Sequence, residues 1–197
     1  TTNEMARKFF LQGVGQLHGF WYLEAERSFR ESASHDTNCA MAYWGMAMAN
    51  GNTAKRAEEF IKEADQRKAS VTEREKLWIA ALKDFHKDPK RDQKDRRRDY
   101  TRALENIIYL HPDDVEAKAF LVFHLWDSGY KGWPIGSAQA VESILKEIFV
   151  AQPMHPAHHY RIHLWDGEKD ESAIRAVPSA SGRASHPSLS KVHFAPW

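Results

Sequence analysis

Six of the 11 histidines fall between His155 and His193. His155, His159 and His163 are spaced i, i+4, i+8. On a helix over 156–166 they advance by about 40° per step and share one stripe. Two imidazoles at i and i+4 can turn their ring nitrogens onto one metal ion, because their Cβ atoms lie about 5–6 Å apart. His158 lies off that stripe, and His186 and His193 approach it only if the C-terminal segment folds back. These six histidines are the candidate ligand set. Imidazole favours Zn, Cu, Ni or Fe over Mg or Ca, and Zn or Cu is the cofactor that the set implies. A metallopeptidase helix needs Glu after its first His. Here that position is Tyr160, so "HHYRIH" supplies no general base, and the nearest carboxylates are Asp166 and Glu168. Two competing readings remain open. The rings can pack apolar bodies at the end of a helical array while their polar tips find partners, or they can transfer protons.

Other reactive groupings carry less. Cys39, Met41, Met46 and Met48 lie along one segment, and soft sulfur suits Cu(I). Cys39 and Met46 are two turns apart, so core packing is the expected role. Residues 87–98 hold seven basic and three acidic side chains without interleaved aromatics, which reads as a solvated connector or helix start. The net charge of +1 argues against a nucleic-acid or membrane-surface protein. The single cysteine excludes an internal disulfide and any zinc module with two or more cysteines. No phosphate loop or nucleophile elbow is present, and Ser179, Ser181 and Ser185 lie in a Ser/Pro/Gly-rich stretch with nothing to activate them. No catalytic residue is assigned. No apolar run reaches the roughly 18–20 residues that span a bilayer.

The elements that must position these residues are helices. Apolar residues recur at three- and four-residue spacings over 5–17, 21–33, 53–67, 95–110, 114–128, 137–151 and 156–166. Gly19 is expected in the left-handed conformation that ends the first helix. Asp36, Thr37 and Asn38 are expected to cap "CAMAYWGMAMAN", which is apolar nearly all round and should be buried between neighbours. Thr72 with Glu75 three residues later predicts a capping box for the helix carrying Leu77, Trp78, Ala81, Leu82 and Phe85. No alternating strand pattern is present, and the periodicity fades after Gly167.

Three places repeat one layout, an amphipathic helix, a short polar turn and an Ala-rich or aromatic helix. Thr37, Pro112 and Pro153 occupy equivalent turn positions. Ala25, Phe29, Ser32 and Thr37 follow one spacing, Tyr100, Leu104, Ile107 and Pro112 repeat it, and so do Val141, Leu145, Ile148 and Pro153. Gly13 stands in the helix before the first set. Over residues 5–166 this pattern resembles the tetratricopeptide repeat family, and "CAMAYWGMAMAN" resembles its bacterial members. The resemblance implies an all-α fold of antiparallel helical hairpins stacked as an α-solenoid over 1–166, followed by an irregular His-containing segment, 167–197. It also implies a groove lined by the first helix of each hairpin, with Tyr43, Asn50, Lys118 and His124 as candidate groove residues.

The function expected from this reading is a non-catalytic scaffold for a protein or peptide partner. The alternatives are a metal-binding protein or metal-dependent enzyme built on the histidine cluster, and a subunit of a larger assembly that self-associates through an uncapped end. The chain opens on Thr without a basic segment followed by an apolar one, and it stops at Trp197 just after the His-rich stretch. The natural protein is expected to continue, and either the cytoplasm or the periplasm after signal removal is compatible with the sequence.

Overall fold

A computed structural model describes residues 1–133 and 136–166, and the C-terminal segment with His186 and His193 lies outside them. Among the described residues the protein is all-helical, with no strand. The helices are α1 (Glu4–His18), α2 (Tyr22–His35), α3 (Ala40–Ala49), α4 (Ala54–Gln66), α5 (Glu73–His86), α6 (Gln93–Leu110), α7 (Val115–Tyr130), α8 (Ala138–Ala151) and α9 (His158–Trp165). No described helix is long and apolar enough to cross a membrane.

Local chemistry sets most helix starts. The side chains of Asn3, Thr72, Asp92, Asp114 and Ser137 accept hydrogen bonds from first-turn amides. Each satisfies one donor that the helix itself leaves unpaired. The Thr72–Glu75 capping box forms as expected. Two expected turns are built differently. Gly19 has φ −84°, and Phe20 is the residue at φ +61°. Trp21 N–H bonds Gln16 O and Phe20 N–H bonds Leu17 O, so the helix closes in a Schellman arrangement one residue later than Gly19 suggests. In the second, α3 starts at Ala40 with no side-chain cap, because Asp36 is spent on a tighter turn to the Asn38 amide.

The chain forms two compact units, Thr1–His111 and Pro112–Trp197. In the first, each helix from α1 to α6 packs on the next in sequence, α1 also touches α3, and α3 also touches α5. Ser32 Oγ donates to Ala6 O at 2.7 Å, and Ser28 Oγ to Gln16 Oε1 at 2.7 Å. Rising numbers on α1 therefore meet falling numbers on α2, and the pair is antiparallel. The same bond explains how Ser32 stands fully buried where the repeat elsewhere has an apolar residue. Helix α3 buries Ala40, Met41, Ala42, Trp44, Met46 and Ala47, consistent with its contacts to α1, α2, α4 and α5.

At the centre lies Phe29 of α2, fully buried. A Cβ built at Gly13 of α1 would stand 2.7 Å from Phe29 Cε1, and one at Gly45 of α3 would overlap the same ring edge. The ring fills space that two missing side chains leave open on two different helices. The nine helical residues of the three spaced sets, from Ala25 to Ile148, are buried, and the turn residues Thr37, Pro112 and Pro153 are exposed. Ala57, Ile61 and Ala64 of α4, which follow the same spacing, are buried too.

The sulfur group belongs to this core. Cys39, Met41 and Met46 are buried, and the Tyr100 hydroxyl lies 3.8 Å from Met48 Sδ. The basic run 87–98 is heavily ion-paired, with Arg91 on Asp99 at 2.5 Å and Arg98 on Asp95 at 2.7 Å. In the second unit, α7 packs on α8 and α9, and α8 packs on α9. Helix α8 presents Val141, Leu145 and Ile148 to the interior.

His86 is buried at the end of α5, and among the described residues its Nδ1 has no hydrogen-bond partner. Burial, reinforced by the Arg96 charge, lowers its pKa from 6.5 to about 4, against a small opposing pull from Glu58. Between these values the unfolded chain binds a proton that the folded chain refuses. Stability is therefore full above about pH 6.5 and falls as pH drops toward 4, by on the order of 3 kcal/mol in total. Denaturant titrations at pH 7.5, 5.5 and 4.5 should show this slope, and His86→Leu should flatten it. An unchanged slope in the variant would contradict this origin. A second prediction concerns the glycines. Gly13→Ala should cost about 2 kcal/mol through overpacking against Phe29. Gly15→Ala, whose Cβ would meet nothing within 4 Å, should gain up to about 1 kcal/mol from helix propensity. Urea midpoints of the two variants check both signs.

Candidate functional site

Helix α9 carries two members of the predicted histidine stripe, His159 and His163, and its entry decides which rings meet. Helix α8 ends at Ala151, and Pro153 and Pro156 bracket a tight turn. The amides of His158 and His159 bond the carbonyls of His155 and Pro156, so the chain winds in short turns before the regular helix begins at His158. This start is two residues later than the periodicity suggests. His155 consequently stands outside the helix. Its Nδ1 accepts the Ala157 amide at 3.1 Å, which leaves the proton on Nε2, and Nε2 faces Glu116 Oε1 of α7 at 3.3 Å.

The other three histidines separate into two roles. His158 is buried, stacked on Phe149 with ring centroids 3.8 Å apart, and its Nε2 donates to Pro153 O at 2.9 Å. That ring seals the α8–α9 corner. His159 and His163, one helical turn apart, bring their Nε2 atoms to 3.0 Å. His163 Nδ1 lies 2.9 Å from Asp166 Oδ2, and Trp126 of α7 stacks on its other side at 5.0 Å. The carboxylate holds the proton on Nδ1, so His163 turns the lone pair of Nε2 toward His159. His159 is fully buried, whereas the His163 side chain keeps 23% of its surface. A pair so arranged can share a proton through an N–H···N bond or clasp one cation between two lone pairs.

The position of α9 depends on a carboxylate that the sequence does not flag. Glu142 of α8 is buried, its Oε2 accepts from Arg161 Nε and from Trp165 Nε1, each at 3.1 Å, and its Oε1 is ion-paired with Arg161 Nη2 at 2.6 Å. Both partners lie on α9, so one acid pins two successive turns of the histidine helix. The run "AVESILKEIFV" did not single it out, since Glu142 shares it with Ser143, Lys146 and Glu147.

The four groove candidates are all engaged in packing or ion pairs. In the first unit, the guanidinium of Arg67 sits 4.1 Å above the Tyr43 ring. Asn50 donates to Glu26 Oε2 at 2.8 Å and to Met46 O at 2.9 Å. Burial pushes the Glu26 carboxyl up, but hydrogen bonds from Asn50, Arg56 and Arg30 outweigh it and hold the group below the usual carboxylate range. Glu26 thereby ties α2, α3 and α4 together. In the second unit, Lys118 pairs with Glu147 at 2.8 Å, and His124 is buried. His186, His193, Glu168 and the three serines of the terminal segment lie outside the described residues.

No protein-family model, no curated protein and no solved structure matches this chain. Function therefore rests on its own residues. Removing one partner of a buried ion pair leaves the other charge uncompensated, at a cost of about 3–5 kcal/mol. Glu142→Ala should therefore loosen α9 ahead of α8. Hydrogen exchange should show faster exchange of the α9 amides, with α8 still protected. Equal loss in both helices would show that Glu142 supports the whole unit instead.

Proposed function

We propose that the protein is a tetratricopeptide-like scaffold, in which helical hairpins stack and the first helices of successive hairpins form a wall that receives a segment of a partner protein. One observation carries this reading. Phe29 draws α1 and α3 close on one side of α2, and α3 in turn touches α5. In the first unit the odd-numbered helices α1, α3 and α5 are thus neighbours, while α2 and α4 each pack between their flanking odd ones. The spaced buried residues Ala25/Phe29/Ser32 and Ala57/Ile61/Ala64 recur on the even helices, as repeated hairpins require.

A rigid wall favours recognition, since little order has to be created on binding. Leu11 of α1 is 57% exposed and lies away from the Ala6, Gln12 and Gln16 positions that face α2. It offers an apolar anchor of the kind that helix and peptide ligands use. The test is selection of random peptides on the full chain, followed by titration of the enriched sequences. One-to-one binders that weaken at least tenfold on Leu11→Glu, with an unchanged melting temperature, are expected. No enrichment over a control protein, or binders indifferent to Leu11→Glu, would overturn the reading.

A further inference from the structure

The scaffold reading makes no use of the paired rings on α9, and their geometry is specific. Two nitrogens bound to one ion at about 2.0–2.1 Å lie about 2.8–3.0 Å apart when they subtend 90°, and about 3.3–3.4 Å apart in a tetrahedron. His159 Nε2 and His163 Nε2 are 3.0 Å apart. The separation is that of an N–H···N hydrogen bond and equally that of neighbouring positions of a square-planar or octahedral ion, the arrangement that Cu(II) and Ni(II) prefer.

The surroundings are those of a ligand pair. Asp166 on His163 Nδ1 fixes the tautomer with the Nε2 lone pair directed inward and raises its basicity, the usual role of a carboxylate behind a metal-bound imidazole. Trp126 stacks on the His163 ring, and His159 is fully buried. The pair is anchored on a regular helix, which Glu142 pins through Arg161 and Trp165. The His163 side chain keeps 23% of its surface, so solvent reaches one member of the pair.

We propose that His159 and His163 form a two-imidazole chelate for a divalent transition-metal ion with 90° ligand geometry, Cu(II) ahead of Ni(II) and Zn(II). His155 and His158 take no part in it. The former turns to Glu116 and the latter to Pro153. The chelate is independent of whether the odd-helix wall binds a peptide. Asp166 acts as a positioning residue for the pair.

Full-length protein without an affinity tag, titrated with CuCl2 and ZnCl2 in competition with a chelator of known affinity, tests this. The expected result is one Cu(II) per chain, bound more tightly than Zn(II), with an electron paramagnetic resonance spectrum showing two imidazole nitrogens. His163→Gln should weaken Cu(II) at least tenfold and reduce the nitrogen signature to one or none. Asp166→Asn, which alters an exposed side chain and keeps both imidazoles in the sequence, should weaken Cu(II) about tenfold through the lost second-shell bond. Should His163→Gln fail to fold, the Asp166→Asn result decides alone. Three outcomes would overturn the proposal: no stoichiometric Cu(II), equal affinity in wild type and variants, or Zn(II) binding more tightly than Cu(II).

Discussion

The first unit depends on the contact of one aromatic ring with two glycines. Gly in a helix interior costs about 1 kcal/mol relative to Ala, and here Gly13 and Gly45 both stand in helix interiors. The return is the burial of Phe29 with no exposed surface, worth about 2–3 kcal/mol, together with backbones near enough for α1, α2 and α3 to share one core. The rest follows from that spacing. Helix α3, touched by α1, α2, α4 and α5, has to be apolar nearly all round. Its one polar exit, Asn50, is taken by Glu26, which fastens α2 and α4 to the end of α3.

Buried carboxylates do in both units what apolar packing alone does not. Apolar faces can slide by a turn at small cost, whereas a carboxylate with two or three directed donors has one satisfactory position. Glu26 fixes the meeting of α2, α3 and α4, and Glu142 fixes α9 on α8. The consequence in the second unit is chemical. With α9 held at two of its turns and Trp126 against His163, the two imidazoles are kept at ligand distance, not merely on the same face.

Local relations were legible in the sequence, and long-range ones were not. The helices, the Thr72 capping box and the i, i+4 meeting of His159 and His163 depend on neighbours within one turn, and the structure has all of them. The buried spacing was readable wherever a large aromatic or a following Pro marked it. In α4 the apolar face with Ala57, Ile61 and Ala64 was readable but its match to the spaced sets was not, because these residues are small or common and Ala69 stands at the turn position. The partner of His155 was hidden because Glu116 lies 39 residues away. The left-handed turn residue was misplaced by one because Gly19 suits that role better on intrinsic grounds than Phe20, and tertiary packing outweighs the cost of about 1–2 kcal/mol. The groove candidates were chosen by analogy of position, and analogy does not reveal that Asn50 is committed to Glu26 or that His124 is buried.

The close approach of α1, α2 and α3 is what any groove along the odd helices requires, and a double-mutant cycle between Phe29 and Gly45 measures it most directly. If the ring fills the space above Gly45, Gly45→Ala should be costly with Phe29 present and nearly harmless beside Phe29→Leu, giving a coupling of about 1 kcal/mol or more. Additive costs, within about 0.5 kcal/mol, would contradict the contact and the alignment of helices built on it.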